Sequence, residues 1–297
     1  MDAETRGESV TAPSNGPVAR QTVGLANGLP AVVLNEVSKR FGGVVAVSDV
    51  TFTLAEGSIT GVIGPNGAGK TTLLNLITGF LKPTSGSIEL KGTTVTGWRP
   101  HSVASTGVAR TFQNILLLDS ETVATNILIG CHQALASRSY ATRIKEWRSH
   151  PGRDVVDRLM TELDLRGVAE DEVAQLPYGV RRRVEIARAL AAEPNILILD
   201  EPTAGMTRDE SDEIGNLVQQ VRKTGTTVVL VEHNVRLVRA ICDEVLVLEW
   251  GRLIARDSAE RIWENASVRA AYLGDVTDDG PVSELVSGGG GSADAEA

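Results

Sequence analysis

Cysteine is almost absent from this chain of 297 residues: Cys131 and Cys242 stand far apart and in no C-x-x-C pattern. That excludes a disulfide framework and leaves both as small core residues in a reducing compartment. Long apolar runs are missing too, and no stretch approaches the ~18–20 residues that cross a bilayer. The N-terminus is polar and lacks the apolar segment of a secretory signal, which predicts a soluble cytosolic polypeptide. Nor is there an excess of base. Formal charge is −9, and Asp275, Asp278, Asp279, Glu284, Asp294 and Glu296 fall in a tail with no Lys or Arg. Acidity is therefore a property of the tail. The run Arg181-Arg182-Arg183 is too short to track phosphates, so no nucleic acid is expected as a partner.

What the chain does have is a hydrophobic fraction of 42%, enough for a core. Residues 1–30 are rich in Gly, Ser, Thr, Pro and Ala without apolar period and read as a disordered extension. Residues 31–274 read as the folded part, and 275–297 as an acidic, Gly-rich disordered tail. The folded part begins with short β-type runs at 31–37, 44–54, 58–63 and 87–90, separated by turn signals such as Phe41-Gly42-Gly43. A helical region follows over about 114–180, in which Val155, Val156, Leu159, Met160 and Leu163 share one face. From Arg181 helix and strand alternate, ending with a strand at 244–248. This order predicts an α/β fold with a mainly parallel sheet.

The chemistry centres on Gly64-Pro65-Asn66-Gly67-Ala68-Gly69-Lys70-Thr71-Thr72, which fits G-x-x-x-x-G-K-[ST] between an apolar strand and an amphipathic helix. Glycines let successive N–H groups turn toward phosphate oxygens, and the helix start adds its positive end. Lys70 is expected to reach the β- and γ-phosphates of a nucleoside triphosphate, and the Thr71 hydroxyl to ligate Mg²⁺. A second feature is Ile196-Leu197-Ile198-Leu199-Asp200-Glu201-Pro202, an apolar strand that delivers two carboxylates to its C-terminal end. Asp200 is expected to hold Mg²⁺, directly or through water, and Glu201 to polarise the attacking water.

Three more stretches complete an ordered set: Ala109-Arg110-Thr111-Phe112-Gln113-Asn114, then Leu176-Pro177-Tyr178-Gly179 running into Arg181-Arg182-Arg183-Val184-Glu185-Ile186-Ala187-Arg188, then Val231-Glu232-His233-Asn234. With the phosphate loop and Asp200-Glu201, this order resembles the nucleotide-binding subunit of an ABC transporter, over about Val32 to Gly274. The detail of these stretches, with Ala271-Tyr272-Leu273-Gly274, is similar to the ATPase of branched-chain (hydrophobic) amino acid importers and their urea or amide relatives. The ATPase of lipopolysaccharide export is the runner-up, and a soluble ATPase of the same fold or a binding-only regulatory cassette are further alternatives. The resemblance implies a P-loop NTPase of ABC type, with a RecA-like parallel core, an antiparallel β-lobe and a helical subdomain. It also implies ATP and Mg²⁺ as cofactors and a place at the cytoplasmic face of the inner membrane.

Residue by residue, the resemblance gives Phe41 as the aromatic that stacks on adenine, Gln113 as a ligand of Mg²⁺ or of the attacking water, and His233 as a contact to the γ-phosphate. It puts Tyr178 and Gly179 against the nucleotide of a second ATPase subunit, identical or paralogous, packed head to tail. It names membrane permeases as partners, with an extracytoplasmic solute-binding protein acting through them. Two departures stand out. The position where the family's signature carries a serine hydroxyl is Pro177, and its last position is Val180, which suggests a weakened signature half. In the following loop Thr207 replaces the usual Asp or Asn, leaving a neutral hydroxyl to bond across the dimer.

Overall fold

The computed structural model describes residues 30–131 and 152–273. Residues 1–29 of the expected extension, 132–151 of the expected helical region, Gly274 and the expected tail 275–297 lie outside the described residues. The strands are β1 (Val32–Phe41), β2 (Val44–Leu54), β3 (Ile59–Ile63), β4 (Ser85–Leu90), β5 (Thr93–Thr94), β6 (Val108–Arg110), β7 (Ile196–Asp200), β8 (Thr227–Val231), β9 (Glu244–Glu249) and β10 (Arg252–Ser258). The helices are α1 (Lys70–Ile77), α2 (Pro100–Ala104), α3 (Val123–Gly130), α4 (Arg153–Glu162), α5 (Tyr178–Leu190), α6 (Arg208–Lys223), α7 (Val235–Ile241) and α8 (Ala266–Leu273).

One sheet is a four-stranded antiparallel lobe in the order β2-β1-β4-β5. The other is six-stranded, β10-β9-β3-β8-β7-β6, parallel throughout except where β10 folds back on β9. β3, β7 and β8 are buried at every residue, as expected of parallel strands covered on both faces. Alternate side chains of these strands enter two separate apolar clusters. Ile59, Leu197, Leu199, Val228, Leu230, Val245 and Val247 belong to one, with α3 to α7. Val62, Ile196, Ile198, Val229, Val231, Leu246 and Leu248 belong to the other, with α1 and the antiparallel lobe. The α/β core expected from the pattern and the antiparallel β-lobe that the resemblance implies are therefore both present.

Among the described residues of the region 114–180, the first stretch is not helical as expected. Residues 114–122 contain no helix, because their backbone finds its partners on a buried side chain: Asn126 accepts from Leu118 N–H (2.9 Å) and donates to the carbonyls of Leu118 (3.0 Å) and Thr122 (3.1 Å). Helix begins at α3, and in α4 Val156, Leu159 and Met160 are buried as the periodicity requires. β5, α2, β10 and α8 were not foreseen. β10 exists because Trp250-Gly251, with φ of 47° and 76°, makes a two-residue turn that returns the chain onto β9.

Candidate functional site

β3 hands the chain directly to the loop Gly64–Thr72, whose backbone only glycine can follow at two points. Gly64 has φ 150°, and a side chain there would collide with the Leu248 carbonyl; Gly69 has φ 99° and lies against the Ala46 carbonyl. Gly69 caps α1 with no side-chain bond, and the first turn of α1 carries no acid. Its N–H groups are therefore left for an anion. Lys70 is buried, and its Nζ donates to the carbonyls of Gly64 (2.6 Å) and Pro65 (3.0 Å). Burial lowers its pKa, opposed by the charges of Glu201 and Asp200, so the lysine gains most from a partner that brings negative charge. Thr71 is exposed and Thr72 half-buried beside it, and Asn66 and Gly67 form the open rim of the loop.

The ends of β7 and β8 lie side by side, and two carboxylates divide the work there. Glu232 is buried and ties the two turns together: its Oε1 accepts from Thr203 N–H (2.9 Å) and Oγ1 (2.7 Å), and its Oε2 from His233 N–H (3.1 Å). Glu201 leaves β7 in the left-handed region, φ 49°, with its N–H on the Val231 carbonyl at 2.9 Å. Such a backbone is costly for a residue with a side chain and persists where surroundings enforce it. The Glu201 carboxylate then meets two side chains: Gln113 Nε2 donates to Oε2 at 3.0 Å, and His233 Nε2 lies 3.0 Å from Oε1. Residues 113, 201 and 233, far apart in sequence, thus converge on one carboxylate, close enough to Lys70 to act on its charge.

Asp200 lies deeper than Glu201. Its Oδ2 pairs with Arg110 Nη2 at 2.8 Å, while Arg110 Nη1 donates to Asn75 Oδ1 (2.7 Å) on α1 and to Oγ1 of Thr78 (3.2 Å), the residue that caps it. Arg110 was not singled out from sequence; its place two residues before Phe112 gives no signal of this pairing. Oxygen donors suit Mg²⁺, which is held through one or two protein groups together with phosphate and water. The Thr71 hydroxyl, the Gln113 amide oxygen and the second oxygen of Asp200 supply that donor type. No cluster of three or more His, Cys, Asp or Glu occurs among the described residues, so a metal cage built from protein alone is not available there.

Phe41 closes β1 with its ring 47% exposed and Lys39 Nζ 5.0 Å from the ring centre, which places it on the surface and not in the lobe's core. Tyr178 and Gly179 are not drawn to the phosphate loop. They form the first turn of α5, which starts at Tyr178 rather than at Arg181, with Pro177 as the cap. The Tyr178 hydroxyl accepts from Arg182 Nη2 at 2.9 Å, and Gly179 abuts the Glu210 carboxylate. Thr207 is the N-cap of α6. Its hydroxyl is engaged within the chain, capping α6 by donating to Glu210 Oε2 (2.8 Å) and accepting from Glu210 N–H (3.4 Å).

Residues 47–204 match the family model described as ABC transporter. A high-affinity branched-chain amino acid transport ATP-binding protein, LivG, of Salmonella typhimurium is 39% identical over 83% of this chain and 99% of its own length. The structure of the ADP conformation of MJ1267, an ATP-binding cassette of an ABC transporter, superposes with a TM-score of 0.73 at 29% identity, over 83% of this chain and 99% of that one. A dimeric post-hydrolysis structure of the ATP-binding cassette MJ0796, bound to ADP and Pi, superposes with a TM-score of 0.66 at 25% identity, over 77% of this chain and 98% of that one.

Proposed function

The chain belongs to the ABC transporter family, and on that premise we propose that it is the ATP-hydrolysing subunit of an importer for branched-chain or other hydrophobic amino acids. The observation that carries this reading is the Glu201 carboxylate held between Gln113 and His233 at the end of β7, close enough to Lys70 to act on its charge. Lys70 exchanges its loop carbonyls for phosphate oxygens, and the free N–H groups of α1 take the rest of the anion's charge. Phe41 offers its exposed face to the adenine ring. Thr71 and Asp200 are the groups that would hold Mg²⁺, with Gln113 at the same edge, and the ion when bound would supply charge neutralisation for the phosphates. Glu201 accepts the proton of the attacking water, and Gln113 and His233 keep its carboxylate aimed while the bond to phosphorus forms.

No described helix is long and apolar enough to cross a membrane, so the importer reading requires permease subunits. An apolar cavity of about 400 Å³, lined by Phe80, Val103, Phe112, Ile129 and Ala189, adjoins the Gln113 segment and supports a partner there over a soluble, free-standing ATPase. The branched-chain amino acid transport in the name of the Salmonella relative favours this solute class over lipopolysaccharide export. A second cassette, packed head to tail, would meet Tyr178 and Gly179, a solute-binding protein would act through the permeases, and the cytoplasmic face of the inner membrane is the place such a complex requires.

The test is phosphate release from Mg-ATP across a range of protein concentration, beside Glu201→Gln. Turnover that rises with concentration and is lost in the variant, while nucleotide binding survives, is the expected result. Equal turnover in the variant would overturn the role of Glu201.

A further inference from the structure

The basic run Arg181-Arg182-Arg183 divides three ways once folded. Arg181 pairs near the surface with Asp119 (2.7 Å), and Arg183 reaches toward Glu213 (3.8 Å). Arg182 turns inward and is completely buried, the largest side chain so enclosed among the described residues. Its guanidinium serves four acceptors at once. Nη1 donates to the Phe112 carbonyl (2.9 Å) and to Glu185 Oε2 (2.7 Å); Nη2 donates to the Gln113 carbonyl (3.0 Å) and to the Tyr178 hydroxyl (2.9 Å). Glu185 closes the clamp by accepting the Phe112 N–H on its Oε1 at 3.4 Å.

A buried ion pair is a weak source of stability, and an apolar pair of similar volume often serves a core as well or better. What distinguishes this pair is where its hydrogen bonds go. Three of them hold the main chain of Phe112 and Gln113, and the Gln113 side chain is one of the two groups fixing the Glu201 carboxylate. The fourth from Arg182 goes to Tyr178, in the turn that carries Gly179. The planar fork of an arginine can serve these divergent acceptors together, whereas the ammonium of lysine is a point charge with three donors.

We propose that Arg182 is a positioning residue: it fixes the Gln113 main chain, and with it the amide that holds Glu201, to the turn bearing Tyr178 and Gly179. This rests on Glu201 acting as the base of ATP hydrolysis. Through this one side chain the segment serving the chain's own nucleotide is fastened to the segment that would face a partner's.

The test is a double-mutant cycle on Mg-ATP turnover by the full-length chain, using Arg182→Lys and Gln113→Ala. Arg182→Lys is expected to lower kcat about ten- to hundred-fold, the effect of displacing a catalytic group by an ångström or less. KM for Mg-ATP should stay within about two-fold, because the loss falls on the chemical step and not on binding. In the Gln113→Ala background the lysine should cause no further loss, since its effect passes through Gln113. Equal losses in both backgrounds, or wild-type kcat in Arg182→Lys, would overturn the proposal. Should the lysine variant fail to give a cooperative melt, the pair Arg182→Met with Glu185→Leu decides, because it removes both charges and strands neither. The pair is expected to fold and to lose kcat in the same Gln113-dependent way; wild-type turnover by the pair would overturn the assignment. Failure of the underlying reading looks different: Glu201→Gln would then keep its turnover whatever stands at 182.

Discussion

Replacing Arg110 by methionine tests whether the carboxylate expected at the metal is held by charge pairing or only by the strand that carries it. Arg110 and Asp200 are 2.8 Å apart with side chains 5% and 4% exposed, so little water screens the pair. Removing one member of such a pair strands the other and costs about 3–5 kcal/mol. Arg110→Met and Asp200→Asn should each lose that amount in urea unfolding followed by circular dichroism without nucleotide. At about 2–4 °C per kcal/mol for a domain of this size, each melt should drop by roughly 6–20 °C. The double variant leaves no uncompensated charge, so it should be less damaged than the two losses added, by about 2–3 kcal/mol. Single losses below about 1 kcal/mol, or a double loss additive within about 0.5 kcal/mol, would show that the pair is not coupled and that Asp200 is placed by β7 alone.

Trp250 occupies a left-handed position, φ 47°, in the β9–β10 turn while 81% exposed, a place that suits asparagine or glycine. Trp250→Asn should therefore raise stability by about 1 kcal/mol, read as a higher melting temperature; a lower one would mean the indole makes contacts that outweigh its backbone strain. The two thiols should resist alkylation at pH 8 until the chain is unfolded, because burial pushes Cys131 up to about 11 and Cys242 up to about 12. Their neutral forms are favoured in the fold, so this contribution to stability is complete below the ordinary thiol value of 9.0 and declines as pH rises from there toward 11–12. Iodoacetamide labelling at pH 8 with and without urea checks the first point, and rapid native labelling would refute it.

The phosphate loop, Asp200 and Glu201 could be read from sequence because each motif is contiguous and follows a strand, whereas Gln113 and His233 were singled out by the family resemblance. Their convergence on Glu201 follows from strand order, which places the ends of β6, β7 and β8 next to one another. The polar groups behind them were not legible. Arg110, Arg182, Glu185 and Glu232 act through partners far away in the chain, and a charged residue in an alternating or helical pattern looks solvated until its partner is known. Arg182 is the sharpest case, since it lies between two arginines that do face outward. The cap at Thr207 shows a local signal that could be read: a hydroxyl before a helix with Glu210 three residues on is the pattern of a capping box. The irregular stretch 114–122 was overcalled as helix because its order comes from Asn126 and not from its own periodicity.

The strand Ile196–Asp200 sends alternate residues into two clusters that have no residue in common, and then ends in the two carboxylates. Its reading frame is thereby fixed twice. One inserted or deleted residue in the strand would exchange the side chains of both cores and would also turn Asp200 away from Arg110 and Glu201 away from Gln113 and His233. Substitutions can accumulate here one at a time, but a change of length cannot be absorbed by a compensating change nearby. Lineages descended from such a chain should vary in length at the turns outside the sheet and hold this strand to a constant count.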